Sequence, residues 1–478
     1  MNLIHVEKGT HIKSMNMTSK IMRHLLIALL PIIIFSFYKN GIIPFMHNNT
    51  NLLGLFRPLL VILVASLTSF MSEIIYYRFL LKKEGMELKE IMKNSYSFIP
   101  GLFLGLILPL YTPFLIVIFG SIIATVIGKL LFGGFGSNIF NPALVGRLFV
   151  VSAYGLAIAN NGGFLNGYEV LDTIAHSTPL TNASLVKGIG TYQTLVAPYG
   201  SLWNFFFGTM PGSLGETSAL LCLIGFIYLT INKVIKWKIP VVYLLTVFVM
   251  TFLIGNYNGL GIWFPLFHLL SGGLMFGAVF MATDPVTTPT TPIGQVLFGL
   301  CLGLLTVTFR FLTPAPEGVL TSILTMNMFV FLIDRIGAKG RFAFRKVVMP
   351  LLIIWVLIIG VGLYIANRYQ VPVTITDPNY HVISKIIDGN NTTYIVTQKG
   401  YMSTIKGEIV INNGSVITYT VLQEGDSFYQ KITGADYLNK LIAGQNDLAN
   451  TDTVSGATFT AHCLKNMLIN TLGDYNAK

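Results

Sequence analysis

Eleven apolar runs occupy most of this 478-residue chain, and they constrain its fold more than any other feature. A helix needs roughly 20 apolar residues to cross about 30 Å of hydrocarbon. Only 11% of the residues are charged, against about 25% in an average soluble domain. The chain is therefore neither an ordinary cytosolic enzyme nor a disordered protein, and we predict a polytopic helical membrane protein. The runs are residues 21–38, 57–80, 97–110, 113–132, 140–160, 216–233, 238–255, 264–283, 293–311, 318–334 and 347–367.

Basic residues are unevenly distributed between the loops that join these runs. Nineteen Lys and Arg residues lie in one set of alternate loops, and five lie in the other set. The positive-inside rule then predicts a cytoplasmic N-terminus and, with eleven spans, an extracytoplasmic C-terminal domain. The net charge of +11 comes from these short loops. We therefore expect a lipid bilayer around the chain and no nucleic-acid partner.

The charge balance changes near residue 369, which marks a domain boundary. Residues 369–478 hold 7 basic and 9 acidic residues, whereas the preceding part is strongly basic. We predict a cytoplasmic segment 1–20, a transmembrane domain 21–335 of about ten spans, and a basic linker with a connecting span at 336–368. A small external α+β domain at 369–478 completes the predicted fold.

The C-terminal domain shows strand and helix signals of its own. Two strand-like runs meet across Asn413-Gly414, a dipeptide that favours a tight hairpin turn. Residues 457–472 have the apolar spacing of an amphipathic helix that closes the domain. The predicted strands are Thr393–Thr397, Ile405–Ile411 and Ser415–Leu422.

A short motif precedes that closing helix and is the sharpest local signal in the chain. Small residues let a ligand approach the backbone, and the first turn of a helix offers free N–H groups to a phosphate. The Thr458 hydroxyl is therefore well placed to carry or hold a phosphate. The alternative is an ordinary helix cap made by Ser455. The motif reads Asp452-Thr453-Val454-Ser455-Gly456-Ala457-Thr458.

This motif resembles the flavinylation sequence of the FMN-binding domains in the Rnf and Nqr respiratory complexes, the Rnf G and Nqr C subunits. In those domains a flavin transferase attaches FMN to a Thr through a phosphoester bond. The resemblance implies covalent FMN on Thr458, with Asp452, Ser455, Gly456 and Ala457 as the recognition frame. The stretch Glu424–Phe428 departs from the flavin-contacting sequence that is usual in those subunits.

The membrane part resembles another component of the same complexes, the Rnf D and Nqr B family. The chain thus looks like a fusion of that component with an Rnf G-like or Nqr C-like domain, in a bacterial inner membrane. The matching stretches are Gly133–Ala143, Gly212–Ser218, His268–Gly273, Met281–Thr287, Pro316–Val319, Met326-Asn327 and Ile333-Asp334.

The same resemblance implies a second covalent FMN in the external loop after the fifth span. Thr178 begins the matching Thr-Pro-Leu sequence, whereas His176 and Ser177 replace the small residues of the motif. Thr178 is therefore a candidate attachment site, and a surface turn is the alternative.

The Gly-, Asn- and Pro-rich stretch 133–142 is incompatible with an uninterrupted helix, and such backbone is tolerated at membrane depth only inside protein or beside a cavity. A re-entrant elbow is one interpretation. The resemblance implies the other, a cytoplasmic-side flavin site (riboflavin in Nqr, or a second FMN) with Asn138 and Asn141 as hydrogen-bond donors. The loop 283–292 is expected to complete that site.

Together these features predict an electron-transfer subunit of a multi-subunit oxidoreductase, coupled within the complex to Na⁺ or H⁺ translocation. Two alternatives remain: flavin-based electron transfer to an extracytoplasmic acceptor, and a flavin-independent transporter with an external domain. Other complex subunits and a flavin transferase are the expected partners. Three scattered Cys residues form no metal or iron–sulfur motif. We expect neither a catalytic residue nor a metal site, since the flavins supply the redox chemistry.

Ionisable residues within or near the spans are costly and often functional. No single one of them is identified by the sequence as an ion ligand, and we expect Arg310 and Glu317 to form a structural ion pair. The candidates are Glu73, Arg147, Glu216, His268, Arg310 and Glu317.

Overall fold

The computed structural model describes residues 18–476, except for 161–177, 186–188, 217, 314–317, 341–344, 369–379, 390, 400–403, 413, 424–428, 446–447, 449–453 and 455–456. The described residues divide into two compact units. The first is helical and ends at residue 368, and the second contains a sheet and begins at residue 380.

The helical unit is built from apolar helices joined by mostly short connections. In chain order they are α1 (Thr18–Phe37), α2 (Ile43–Met46), α3 (Leu52–Ile75), α4 (Gly85–Ser95), α5 (Ile99–Ile107), α6 (Phe114–Val126), α7 (Pro142–Asn160), α8 (Pro179–Leu185), α9 (Tyr192–Leu195), α10 (Leu202–Phe207), α11 (Ala219–Ile231), α12 (Lys238–Tyr257), α13 (Trp263–Leu270), α14 (Leu274–Phe276), α15 (Pro292–Leu312), α16 (Val319–Gly340) and α17 (Arg345–Arg368).

Seven helical segments in the described part of the chain are long and apolar enough to cross a membrane. An eighth span results if the bent pair Trp263–Leu270 and Leu274–Met281 counts as one. The chain is therefore a multi-pass membrane protein. The seven segments are Thr18–Met46, Leu52–Leu80, Phe114–Phe132, Lys238–Tyr257, Pro292–Leu312, Val319–Lys339 and Val348–Arg368.

The remaining three predicted runs form shorter helices, so the predicted count of about ten spans plus one is not reached by length alone. The run 97–110 forms only the nine-residue α5, because Pro109 follows closely and a proline disfavours helical geometry in the residue before it. In α7, Tyr154 has non-helical angles (φ −128°, ψ 15°) that shorten the regular helix. The run 216–233 forms α11, which has 13 residues.

The bent pair α13–α14 is interrupted by Ser271-Gly272-Gly273, and its two parts meet at 66°. Gly272 has φ +66°, which a residue with a side chain rarely adopts. The Arg310 guanidinium donates hydrogen bonds to the carbonyls of His268 and Ser271, at 2.5 and 3.3 Å. These bonds satisfy carbonyl groups that the broken helix leaves without intrahelical partners. Arg310 thus stabilises the break, whereas its expected partner Glu317 lies outside the described residues.

The second unit is a four-stranded antiparallel meander packed against helices. Its strands are β1 (Tyr380–Asp388), β2 (Asn391–Lys399), β3 (Thr404–Asn412) and β4 (Ser415–Gln423), in that spatial order. Gly414, at φ +85°, lies in the predicted turn between β3 and β4. The helices are α18 (Tyr429–Gly434), α19 (Tyr437–Ala443) and α20 (Thr458–Asn476). The sequence predicted three of the strands and the closing helix but missed β1, α18 and α19.

Buried and more exposed side chains alternate along the strands, and the buried ones form the core of this unit. Ile405, Ile409 and Ile411 of β3 are fully buried, because every second side chain of a strand points to the same face. They belong to one apolar cluster with Leu464 and Met467 of α20. The second unit therefore has a hydrophobic core of its own.

Candidate functional site

An irregular elbow, residues 133–141, joins the short 3₁₀ helix Leu130–Phe132 to α7. Gly133, Gly134 and Gly136 have φ of +108°, +91° and +89°, angles that glycine adopts at no steric cost. The predicted interruption of the helix at this point is confirmed. The helix is interrupted here because these three glycines adopt left-handed backbone angles.

The two asparagines of the elbow both lie at a buried position, each 8% exposed. Asn141 Oδ1 accepts a hydrogen bond from the Ala143 N–H at 3.2 Å and so caps the start of α7. Its backbone N–H donates to Asn327 Oδ1 at 3.3 Å, and Asn327 Nδ2 donates to the Thr287 carbonyl at 3.0 Å. Asn141 thus links the elbow to α16 and to the loop before α15.

One hydrogen bond within the elbow positions the amide of Asn138. Its Nδ2 donates to the Phe140 carbonyl at 3.0 Å. Burial raises the pKa of the neighbouring Asp284, and the hydrogen bond from the Thr287 hydroxyl opposes that rise. The elbow and the loop after the bent pair are therefore linked by hydrogen bonds through Asn327.

A pocket lies where these segments meet, and both asparagines line it. Tyr96 and Phe135 contribute aromatic rings whose centroids are 5.5 Å apart. Thr283 and Asp284 also line the pocket, as the sequence predicted for the loop 283–292. The structure thus brings the two predicted asparagines and that loop around one cavity. Other lining residues come from α1, α5 and the connections around α11 and α12, namely Ile21, Met22, Leu25, Ile99, Pro100, Phe103, Val234 and Ile235.

The far end of that loop is held by Asp334 of α16. Its carboxylate accepts hydrogen bonds from the backbone N–H groups of Thr290 and Thr291, both at 2.9 Å. It also accepts bonds from the two threonine hydroxyls, at 2.9 and 2.8 Å. Lys236 Nζ donates to the Pro289 carbonyl at 2.8 Å. The loop beside the pocket is therefore anchored by side chains of two other segments.

Lys129 lies in the wall of the pocket and was missed as a site residue, since the sequence analysis counted it only toward membrane topology. Its Nζ contacts Glu73 Oε2 at 2.8 Å and the Ser95 carbonyl at 2.7 Å. Both charged side chains are buried. A basic residue at the end of an apolar run, four positions before a glycine-rich elbow, was the available signal.

The chemistry of these side chains suits a flat, partly polar ring. Amide groups at Asn138 and Asn141 offer hydrogen bonds, and Tyr96 and Phe135 offer aromatic surface. The cavity volume is about 80 Å³, below the roughly 300–1,000 Å³ typical of ligand pockets. The side chains are thus of the kind that contact a flavin ring, but the cavity as described is too small to admit one.

Thr458 is the first residue of α20, so the predicted helix start is confirmed at the backbone level. The preceding Ala457 is buried, and its N–H donates to the Val454 carbonyl at 3.0 Å. The side chain of Thr458 and the frame residues Asp452, Ser455 and Gly456 lie outside the described part. Covalent attachment at Thr458 stays a prediction.

Thr178 immediately precedes the seven-residue α8 and is 7% exposed. Leu180 packs against the break of the bent pair, where a Cβ built on Gly272 would approach it to 2.5 Å. A transferase would reach the Thr178 hydroxyl only after movement of this segment. His176 and Ser177 lie outside the described residues, and flavinylation of Thr178 stays a prediction.

A second buried ion pair lies away from the described pocket lining. Arg147 Nη1 contacts Glu216 Oε1 at 3.4 Å and Ser213 Oγ at 3.2 Å. A Cβ at Gly273 would approach Glu216 Oε1 to 2.5 Å, so the pair packs beside the break in α13–α14. Two of the predicted ionisable candidates thus pair with each other in the buried interior.

Comparison with known proteins finds a family and relatives that are similar to the helical unit. Residues 5–343 match the family described as NQR2, RnfD, RnfE. The chain is 34% identical to the D subunit of the proton-translocating ferredoxin:NAD(+) oxidoreductase complex of Clostridium ljungdahlii. That similarity extends over 347 residues, which are 72% of this chain and 98% of the relative.

Two further relatives are similar in the same region. The D subunit of the Na(+)-translocating ferredoxin:NAD(+) oxidoreductase complex of Acetobacterium woodii is 32% identical over 72% of this chain and 96% of its own length. The B subunit of the Na(+)-translocating NADH-quinone reductase of Chromohalobacter salexigens is 38% identical over 52% of this chain and 59% of its own length.

Proposed function

The chain belongs to the NQR2, RnfD, RnfE family, and we propose that it is a flavin-carrying membrane subunit of an Rnf- or Nqr-type electron-transport complex. The match over nearly the full length of two relatives, both named as D subunits of ion-translocating oxidoreductases, supports the assignment to such a complex. Other subunits would supply the electron donor and acceptor sites, and the complex would couple electron flow to Na⁺ or H⁺ movement.

The C-terminal domain is proposed to carry covalent FMN on Thr458. The motif from Asp452 to Thr458 and the position of Thr458 at the start of a 19-residue helix support this assignment. The N–H groups of a first helical turn favour a phosphate group beside them. A flavin transferase would form the phosphoester, and the domain would act as an Rnf G-like or Nqr C-like module fused to the membrane part.

The elbow is proposed as the site of a non-covalent flavin, riboflavin or FMN, which would supply one- and two-electron redox chemistry when bound and would require the pocket to open beyond its described volume. Asn138 and Asn141 would orient the ring by hydrogen bonds, and Tyr96 and Phe135 would cover it. Asp334 would preserve the pocket by holding the loop 283–291. Support comes from the convergence of these residues on one cavity.

The side of the membrane on which each flavin lies determines the electron path in this proposal. The distribution of basic residues supports an extracytoplasmic C-terminal domain and a cytoplasmic elbow. A flavin at the elbow and a flavin on Thr458 would then be separated by most of a bilayer, about 30 Å. Because that exceeds one direct electron transfer, a carrier within the membrane, here or in a neighbouring subunit, would connect them.

The covalent proposal is tested on full-length chain co-expressed with a flavin transferase. Denatured wild-type protein should fluoresce in a gel under ultraviolet light, since covalent flavin survives denaturation. Thr458→Ala should lose most of the signal, and a weaker remainder should disappear when Thr178→Ala is added. Thr433→Ala, an exposed threonine in α18, is the matched control and should keep full fluorescence.

Mass spectrometry of tryptic peptides locates the flavin. A dark wild-type band would reject covalent FMN and favour a flavin-independent transporter. Modification of Thr460 instead of Thr458 would show that the resemblance assigns the attachment site to the wrong threonine. Complete loss of signal in Thr458→Ala alone would restrict Thr178 to a structural role.

Topology is tested by labelling single cysteines with a membrane-impermeant maleimide, in a background without the three native Cys. Cysteines at positions 187 and 390 should react in intact cells, whereas those at 85 and 340 should react only after permeabilisation. Protection of position 390 in intact cells would place the C-terminal domain in the cytoplasm and reject the proposed electron path.

A further inference from the structure

The closing helix α20 carries two basic residues on the same face as its first residue, Thr458. His462 follows Thr458 by four positions, and Lys465 follows His462 by three. Residues at these spacings are neighbours on the surface of a helix. The three residues are called the α20 stripe below. Leu464 and Met467 lie on another side of the helix, where they belong to the apolar core of the second unit.

The two basic side chains of the α20 stripe lean toward its first residue. A helical side chain is directed toward the N-terminus of its helix and covers the turn before its own Cα. His462 therefore leans toward Thr458, and Lys465 leans toward His462. Lys465 is 8% exposed and His462 is half-buried, so both groups are largely withdrawn from water.

The environment of His462 disfavours its charged form. Burial lowers the pKa of His462, and the positive charge of the neighbouring Lys465 lowers it further. The second effect is direct evidence that the Lys465 ammonium acts on His462. A negative charge beside the imidazole would oppose both effects, because it favours the imidazolium form.

The proposed linkage would supply such a charge at the start of the stripe. A phosphodiester between FMN and the Thr458 hydroxyl carries one negative charge, and the N–H groups of the first helical turn favour an anion there. His462 lies one turn further along the same face, where Cβ atoms are about 5–6 Å apart. The sign and the order of the charges along the stripe therefore suit a phosphate at Thr458.

We propose that His462 and Lys465 hold the phosphate of the flavin on Thr458. His462, as an imidazolium, donates a hydrogen bond to a phosphate oxygen, and Lys465 adds a second positive charge behind it. The inference rests on the proposed covalent FMN and assigns two positioning residues to it. Neither residue takes part in forming the phosphoester, and the flavin supplies the redox chemistry when bound.

The test compares full-length protein produced with and without a flavin transferase. Diethyl pyrocarbonate modifies neutral imidazole, so the rate of His462 modification against pH gives the midpoint of its titration. The tryptic peptide 441–465 contains both Thr458 and His462, and mass spectrometry therefore reads the two modifications in the same molecule. The midpoint is compared rather than the absolute rate, because a bound flavin also shields the ring.

The midpoint for His462 should be higher by roughly one unit in flavin-bearing molecules, as expected for one negative charge about 10 Å away at an effective dielectric constant of about 20. His381, which is exposed in β1, is the internal control, and its modification profile should be the same in both forms. This comparison needs no substitution on α20, so it remains decisive if a variant does not fold.

A second measurement includes Lys465. Flavin attachment should slow amide exchange over residues 459–465 of wild-type protein, because the phosphate is held across two turns of the helix. The double variant His462→Gln/Lys465→Met should reduce this slowing. Lys440→Met, which removes an exposed lysine of α19, is the matched control and should preserve it.

The possible failures of the two proposals are distinguishable. An unchanged His462 midpoint in molecules whose peptide carries flavin would overturn the inference. Equal slowing of exchange in wild type and in a folded double variant would overturn it as well. If peptide 441–465 of wild-type protein carries no flavin after co-expression with the transferase, the proposed covalent FMN is wrong, and the inference fails with it.

Discussion

Replacement of Asp334 tests whether its carboxylate holds the loop that lines the elbow pocket. Asp334 lies on α16 and accepts hydrogen bonds from both N–H groups and both hydroxyls of Thr290 and Thr291. Asp334→Ala removes all of these acceptors at once. Because Pro289 and Pro292 flank the two threonines and proline has no N–H, Thr290 and Thr291 carry the only amide protons between the prolines.

The magnitude follows from the number and kind of bonds lost. A hydrogen bond to a charged group contributes about 1.5–3 kcal/mol, but Asp334 is only half-buried and water replaces part of the loss. We therefore expect a local opening free energy lower by about 2 kcal/mol, which corresponds to roughly 30-fold faster exchange of the Thr290 and Thr291 amides. Asp334→Asn keeps one acceptor oxygen and should show an intermediate effect.

Hydrogen–deuterium exchange of a peptide containing residues 289–292 is the direct assay. Glu90→Ala removes an exposed carboxylate of α4 and serves as the control, with exchange at 289–292 unchanged. Riboflavin affinity should fall in Asp334→Ala, since the loop contributes lining residues to the pocket. Unchanged exchange of the two threonine amides would refute the assigned anchoring role, whatever happens to affinity.

Three further outcomes follow from single residues. Gly134→Ala should destabilise the chain by about 1 kcal/mol or more and lower its melting temperature, because φ is +91° and the new Cβ would lie 2.7 Å from the Tyr77 hydroxyl. Gly360→Ala is the control: its new Cβ lies in open space, so the melting temperature should change little. Burial raises the pKa of Asp284, so wild-type stability falls as pH rises from about 4 through that raised pKa. The melting temperature of Asp284→Asn relative to wild type should therefore increase from pH 4 to about pH 7, and a constant difference would contradict this. Burial lowers the pKa of His462, so the stability that neutral His462 gives the second unit is complete above about pH 6.5 and is lost as pH falls through the lowered pKa. His462→Gln should reduce this loss of stability, measured by amide exchange in β2 and β3 at matched pH.

Structural features that depend on residues close together in the chain were predictable from the sequence alone. Each predicted apolar run corresponds to a helix or to the bent pair, because burial in lipid requires long apolar stretches wherever the chain crosses it. The elbow at 133–142 and the hairpin at Gly414 were also predictable, since glycine and proline restrict backbone geometry locally. Family membership was likewise recognisable from the motifs, and the match over residues 5–343 confirms it.

Contacts between distant residues depended on the tertiary structure. Lys129 and Glu73 are 56 positions apart, Asn141 and Asn327 are 186 apart, and neither spacing favours the observed partner over another. A buried charge selects whichever opposite charge the helix packing brings within reach, and hydropathy contains no information about that packing. For the same reason the sequence identified Asn138 and Asn141 by their place in a motif but overlooked Lys129, which became a pocket residue only when α3, α6 and the elbow packed together.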